Sequence, residues 1–196
     1  KDVNERVWSS SGNFIKGRSG DRIAGSLNII STLQYDQERV LVSVYPWKRR
    51  DGGVRPVVYT MQLATGNFRK VTVGPGRGAE IRSNRTGTML VARVPKPGLT
   101  TEHFYYDRSK DEPEWQKISL NFPGISDLRH ITNDGKYVYG VTQLEKGINA
   151  PQHLIKVSIE SQEMESVHNF GFASDIAVQF DVDGELMLSL IHISEP

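Results

Sequence analysis

The chain has 196 residues, 37% hydrophobic and 24% charged, and its 24 basic and 23 acidic side chains leave a formal net charge of +1. That balance supplies no global field to gather a polyanion, so neither nucleic acid nor an anionic membrane is an expected partner. The absence of cysteine excludes structural disulfides and thiolate metal sites, and no apolar run approaches the roughly 20 residues of a membrane-spanning helix.

The chain starts at Lys1 without an initiator Met or a charged-then-apolar leader, as expected after removal of a signal peptide or for a piece of a longer protein. From residue 27 onward the sequence repeats. Tight turns recur at Gln37-Glu38, Thr86-Gly87, Asp134-Gly135 and Asp183-Gly184, and their second members are separated by 49, 48 and 49 residues. The residues after each turn fall into columns. Val40, Met89, Tyr137 and Leu186 form the first; Leu41, Leu90, Val138 and Met187 the second; Val42, Val91 and Tyr139 the third; Ser43, Ala92 and Gly140 the fourth. Adjacent apolar columns predict strands buried on both faces, as in stacked sheets. The small fourth column predicts close approach of a neighbouring sheet.

Ahead of each turn stands one more short segment: 27–33, 78–82, 125–131 and 175–180. After it come two strands, 57–63 and 68–73, then 103–108 and 115–120, then 154–159 and 164–169, joined by turns of hairpin length and composition. Each repeat is thus four antiparallel strands in about 40 to 50 residues, the size of a propeller blade. No sustained helical period appears. The expected fold class is all-β, an incomplete β-propeller of four-stranded antiparallel blades. A β-sandwich is the runner-up, but it has no reason to keep a constant period with matching columns.

The expected blades are 27–75, 76–123 and 124–170, with partial ones at 1–26 and 171–187. Residues 188–196 look like a translated sequencing adapter and are set aside as a cloning scar; the alternative is a real strand, because 186–193 is apolar. Propellers close with about 4 to 8 blades, so residues 1–187 alone are expected to leave strand edges open and to associate.

In a four-stranded meander the connections after strands 1 and 3 emerge at one end, and those after strand 2 at the other. The second end receives the longer loops 46–56, 95–101 and 144–151, the kind on which a scaffold displays function. Loop 46–56 places Trp47, Lys48, Arg49, Arg50 and Arg55 within eleven positions. Arginine forks there suit a carboxylate from a peptide or a partner domain; a solvated turn built on Gly52-Gly53 is the simpler alternative.

Catalytic chemistry leaves no trace. The histidines at 103, 130, 153, 168 and 192 have no metal-motif spacing, and no metal or other cofactor is expected. Neither a G-x-S-x-G elbow nor a G-x-x-x-x-G-K-S/T loop occurs. Gly74-Pro75-Gly76-Arg77-Gly78 joins two strands and is read as a connection between blades, without a following helix to favour phosphate. Asp134, Asp181 and Asp183 could serve as paired carboxylates or calcium ligands, but Asp-Gly is the ordinary choice for a tight turn and the turn reading is preferred. Asn84-Arg85-Thr86 matches the glycosylation sequon, but its alignment with the other turns explains it.

Four stretches then carry a resemblance: Leu27-Asn-Ile-Ile-Ser-Thr-Leu33, Asp36-Gln-Glu-Arg-Val-Leu-Val42, Tyr45-Pro-Trp-Lys48 and Val58-Tyr-Thr-Met-Gln-Leu-Ala-Thr-Gly66. With the Asn-Asp-Gly-Lys turn at 133–136, they resemble the N-terminal propeller of prolyl oligopeptidase family serine peptidases, of the bacterial dipeptidyl aminopeptidase or acylaminoacyl peptidase type. Over about 20–187 the likeness implies a propeller that restricts short peptides from reaching a C-terminal α/β-hydrolase domain of the same chain. That domain would carry the Ser, Asp and His triad, so no catalytic residue falls in this chain. Either the bacterial periplasm or the cytoplasm fits. Thr-Gly hairpins and Asp-Gly-Lys turns also occur in propellers of the TolB type, so the alternative expectation is a non-enzymatic interaction scaffold.

Overall fold

Turn residues that tolerate unusual dihedrals alternate with β-branched and aromatic runs, and the chain answers with antiparallel strands throughout. The computed structural model describes residues 14–16, 22–47, 54–120, 126–145, 150–170, 177–180 and 186–189. The first sheet holds β1 (Phe14–Lys16), β2 (Arg22–Ser31), β3 (Arg39–Pro46), β4 (Val57–Gln62) and β5 (Phe68–Val73), in chain order. The second holds β6 (Glu80–Ser83), β7 (Met89–Pro95), β8 (Thr101–Asp107) and β9 (Trp115–Ile118). The third holds β10 (Ser126–Ile131), β11 (Tyr137–Gln143), β12 (Gln152–Ser158) and β13 (Met164–Asn169). A final pair joins β14 (Ala177–Phe180) to β15 (Leu186–Ser189). Two residues of β15 lie beyond 187, within the stretch expected to be a scar. The one helical turn among the described residues is the 3-10 turn Pro97–Leu99.

Every strand pair is antiparallel, and each full sheet is a simple up-and-down meander. β2 lies beside β6, and β6 and β7 lie beside β10, so the strands that open the three four-stranded meanders, β2, β6 and β10, draw together. Successive meanders whose opening strands converge are the blades of a β-propeller, and the described sheets do not close into a ring.

The period-2 alternation of a strand explains how one sheet serves two neighbours. On β3, Val40, Val42 and Val44 face one way, into a cluster with Met61 and Phe68. Leu41 faces the other way and joins Leu33, Val58, Ile81, Leu90, Ala92 and Tyr106, which fills the space between the first and second sheets. On β7 the division repeats: Leu90 and Ala92 face the first sheet, while Met89 and Val91, with Ile118 of β9, join Leu128, Val138, Ile155 and Val157 of the third. Each fully buried Leu, Ile or Val contributes about 1.5–3 kcal/mol. Without the neighbouring sheet, half of each of the two clusters that lie between sheets would face water.

Two expectations need correction. The two-sided burial holds for β3 and β7, but β11 alternates: Val138, Gly140 and Thr142 are buried, whereas Tyr137, Tyr139 and Val141 are only partly so. Only the face of β11 that meets the second sheet is fully covered. Gly140 is small for a reason other than an adjacent sheet. A Cβ there would lie 2.5 Å from Asp127 O and 2.8 Å from Leu128 Cα. Both belong to β10 in its own sheet, next to the register shift between Leu128 and His130 that crowds the pair.

Candidate functional site

The loop end of the sheets was expected to carry function, and the structure describes part of it. Residues 48–50, with the expected Lys48, Arg49 and Arg50, lie outside the described residues, as do 146–149 of the loop 144–151. Trp47 is half-exposed, and its Nε1 donates to Ser26 Oγ at 3.2 Å. Arg55 donates from Nε to Gly74 O at 2.7 Å, so this guanidinium fastens its loop to the connection that follows β5. The same connection accepts further ties: Gly74 N donates to Pro56 O at 2.7 Å and Gly78 N to Val54 O at 3.1 Å. Its glycines allow the approach, since a Cβ on Gly74 would meet Pro56 Cγ at 2.8 Å and one on Gly76 would meet Val94 Cγ1 at 2.5 Å. The Gly-Pro-Gly-Arg-Gly run is therefore a seam between the first two sheets.

Lys96, in the loop 95–101, reaches Glu102 Oε2 at 2.7 Å while Lys117 reaches Oε1 at 2.8 Å. Hydrogen bonds from Lys117 and then Lys96 hold the Glu102 carboxyl below its usual range. These charges satisfy one another, so this loop presents no free cation to a ligand.

The opposite end, where the tight turns and hairpins lie, holds a feature that no single stretch of sequence announces. Between the first and second sheets runs an open groove of about 770 Å³. The start of β3 supplies Glu38 and Arg39, β5 supplies Arg69, Lys70 and Val71, and the end of β8 and its hairpin supply Tyr106, Arg108 and Pro113. Arg39 Nε pairs with Asp36 Oδ2 at 2.5 Å. Arg108 is half-buried and donates to the Gly87 carbonyl. Burial holds its guanidinium below the usual range; Tyr106 opposes the shift and the like charge of Arg39 adds to it.

The turns themselves are polar joints. Burial alone would raise the Asp134 carboxyl, but hydrogen bonds from Thr132 Oγ1 at 2.5 Å and Lys136 N at 3.0 Å bring it below its usual value. Its role is turn geometry. Asn84, the sequon asparagine, is buried: its Nδ2 donates to Thr88 Oγ1 and Asn133 O, and its Oδ1 accepts from Met89 N. The folded chain leaves no side-chain nitrogen there for a glycan.

Burial and then the nearby Arg85 push the His130 imidazole down to about 4. His103 is buried on β8, and His153 meets Ser166 Oγ at 3.1 Å on the neighbouring strand. Among the described residues no group of three or more His, Asp or Glu side chains could hold a metal ion. None of these positions assembles a nucleophile, a base and an oxyanion site.

No family model matches the sequence, and no characterised protein matches it by sequence comparison. Solved structures do match the fold. TolB from Acinetobacter baumannii superposes with a TM-score of 0.51 at 17% identity, over 85% of this chain and 39% of that one. The β-propeller domain of the Trilobed protease from Pyrococcus furiosus, described as having an open velcro topology, superposes with a TM-score of 0.52 at 14% identity, over 80% of this chain and 46% of that one. The chain thus spans less than half the length of either. At such identities the similarity establishes the β-propeller fold, which peptidase domains and TolB proteins share.

Proposed function

We infer that this chain is the non-catalytic propeller part of a serine peptidase that cleaves short peptides, and that it gates their access to an α/β-hydrolase domain of the same protein. The observation that supports this reading is the block from Leu27 to Lys48, which resembles peptidase propellers and whose described residues, 27–47, run through β2 and β3 of the first sheet in a fold that a protease propeller domain shares. In the intact enzyme a serine activated by His and oriented by Asp would attack the peptide carbonyl, with backbone N–H groups receiving the oxyanion. The propeller would contribute sieving and docking. The loop end with Trp47, Lys48, Arg49, Arg50 and Arg55 is the proposed docking face. Arg55 serves it indirectly, because its bond to Gly74 sets the loop.

The test uses the full-length protein. Labelling of a single serine by a fluorophosphonate probe, together with hydrolysis of dipeptide and tripeptide amides but not of folded proteins, is the expected result. Replacing Arg49 and Arg50 by Ala should alter kcat/KM for those peptides while leaving fluorophosphonate labelling intact. Absence of both labelling and hydrolysis would overturn the reading. The similarity to TolB over 85% of the chain favours the second reading, a non-enzymatic interaction scaffold, in that case.

A further inference from the structure

The groove between the first and second sheets concentrates one sign of charge in a chain that is nearly neutral overall. Arg39, Arg69, Lys70 and Arg108 surround it, with Glu38 the one carboxylate among its lining residues. Arg39 is held by Asp36, but among the described residues Arg69, Lys70 and Arg108 form no ion pair. Like charges gathered without partners cost stability unless something else requires them there.

Blade architecture does not require them. β9 occupies in the second sheet the place of β5 in the first, and there Gln116 and Lys117 stand where Arg69 and Lys70 do, with Lys117 paired to Glu102. At the corresponding rim of the third sheet the lining turns acidic, with Glu163 and Glu165 beside Lys156. Charged side chains on a last strand also discourage edge-to-edge aggregation, which would account for Arg69 and Lys70. It does not account for Arg39, at the start of β3, or Arg108, in the turn that follows β8, because β3 and β8 both lie inside their sheets.

The rest of the lining narrows the ligand. No helix N-terminus and no glycine nest borders the groove, so the backbone device that commonly binds phosphate is missing from it. Instead, planar guanidinium forks, suited to carboxylates, alternate with the part-exposed apolar surfaces of Val71 and Pro113. Along one wall runs β5, the last strand of its sheet, whose outer edge has no strand partner among the described residues. An extended chain laid beside it projects side chains alternately to opposite sides.

We propose that this groove binds an extended acidic peptide, its carboxylates received by Arg39, Arg69, Lys70 and Arg108 and its apolar side chains by Val71 and Pro113. The site lies at the turn end, opposite the loops assigned above to domain docking, and does not depend on whether the intact protein is a peptidase or a scaffold. Binding an anion beside Arg108 would also relieve the repulsion from Arg39.

The experiment measures fluorescence anisotropy of a fluorescein-labelled Glu-Val-Glu-Val-Glu peptide titrated with the full-length protein, with Gln-Val-Gln-Val-Gln as control and citrate as competitor. The acidic peptide should bind at least about tenfold more tightly than the control, and more weakly as salt rises. The double variant Arg69→Gln/Lys70→Gln, whose side chains are exposed, should lose about tenfold in affinity at an unchanged thermal midpoint. Arg108→Gln should lose at least as much, but it also removes the tie to Gly87, so the double variant decides. Equal binding of the two peptides, or an unaffected double variant, would overturn the proposal. Citrate binding as tight as that of the peptide would overturn it too, and would assign the groove to a free polycarboxylate.

Discussion

Asn84 donates from Nδ2 to the carbonyl oxygen of Asn133 at 3.2 Å, joining two turns that lie 49 residues apart. The acceptor sits two residues before the turn glycine, Gly135. One sheet earlier the equivalent carbonyl, that of Arg85 before Gly87, accepts from Gln34 N at 2.9 Å and from Ser31 Oγ at 3.1 Å. Neighbouring sheets therefore dock turn against turn through the same backbone acceptor, with donors of different kinds. The consequence is a row of partly buried polar joints along one end of the blades.

Asn84→Ala removes that joint and also the acceptor for Met89 N at 3.1 Å. One buried and one partly buried backbone group would lose their partners, at a cost of about 2 kcal/mol. A urea titration monitored by tryptophan fluorescence should show a lower midpoint with an unchanged slope. A variant as stable as the parent would mean that water replaces the amide.

Glycines at φ near +70° should differ sharply in their tolerance of alanine. Gly87, at φ +73°, would place a Cβ 2.1 Å from Leu33 Cδ2 and 3.0 Å from Leu41 Cδ1, within the core between the first two sheets. Gly66, at φ +67°, has nothing within 4 Å. Gly66→Ala should cost about 1 kcal/mol from backbone strain alone. Gly87→Ala adds overpacking of about 1–3 kcal/mol. Thermal melting of the two variants side by side checks the difference.

His130 makes stability depend on pH in a defined window. Its folded-state value, about 4, lies below the ordinary 6.5, so the unfolded chain takes up a proton that the folded chain refuses. The contribution is fully present above about pH 6.5 and is lost as pH falls toward 4. Because the ring is only half-buried, solvent screening reduces the loss to about 1–2 kcal/mol. His130→Gln should flatten the thermal midpoint between those limits, and a parallel decline in both proteins would point to carboxylates instead.

Trp115 Nε1 donates to Val73 O at 2.8 Å, tying the last strand of the second sheet to that of the first, while its ring packs 5.2 Å from that of Tyr106. Trp115→Phe keeps most of the ring contact and deletes the donor. The expected loss is about 1 kcal/mol, and hydrogen exchange at β5 should quicken more than at β13.

Turn chemistry is local, which is why the blades were legible in the chain. A residue such as Gly87 or Gly135 needs positive φ at a fixed distance from the next apolar run, and the spacing of 48 to 49 residues followed from counting. The joints between blades left no such mark. Arg85, Asn133, Ala79 and Val73 act through their carbonyl oxygens, with Tyr45 OH reaching Ala79 O at 2.8 Å, and a carbonyl belongs to every residue type. Arg55 looked like a free cation because its partner, Gly74 O, is likewise backbone.

By itself the sequence determined the all-β class, the four-strand repeat and the turns at 86–87 and 134–135, because these depend on side-chain alternation and dihedral preference over a few neighbouring residues. Only the tertiary structure decided which cations share a surface. Arg39, Arg69 and Arg108 come from two sheets and span 69 positions of the chain. What brings them together is the packing of Leu41 and Val58 against Leu90 and Tyr106, a contact set by the stacking of sheets.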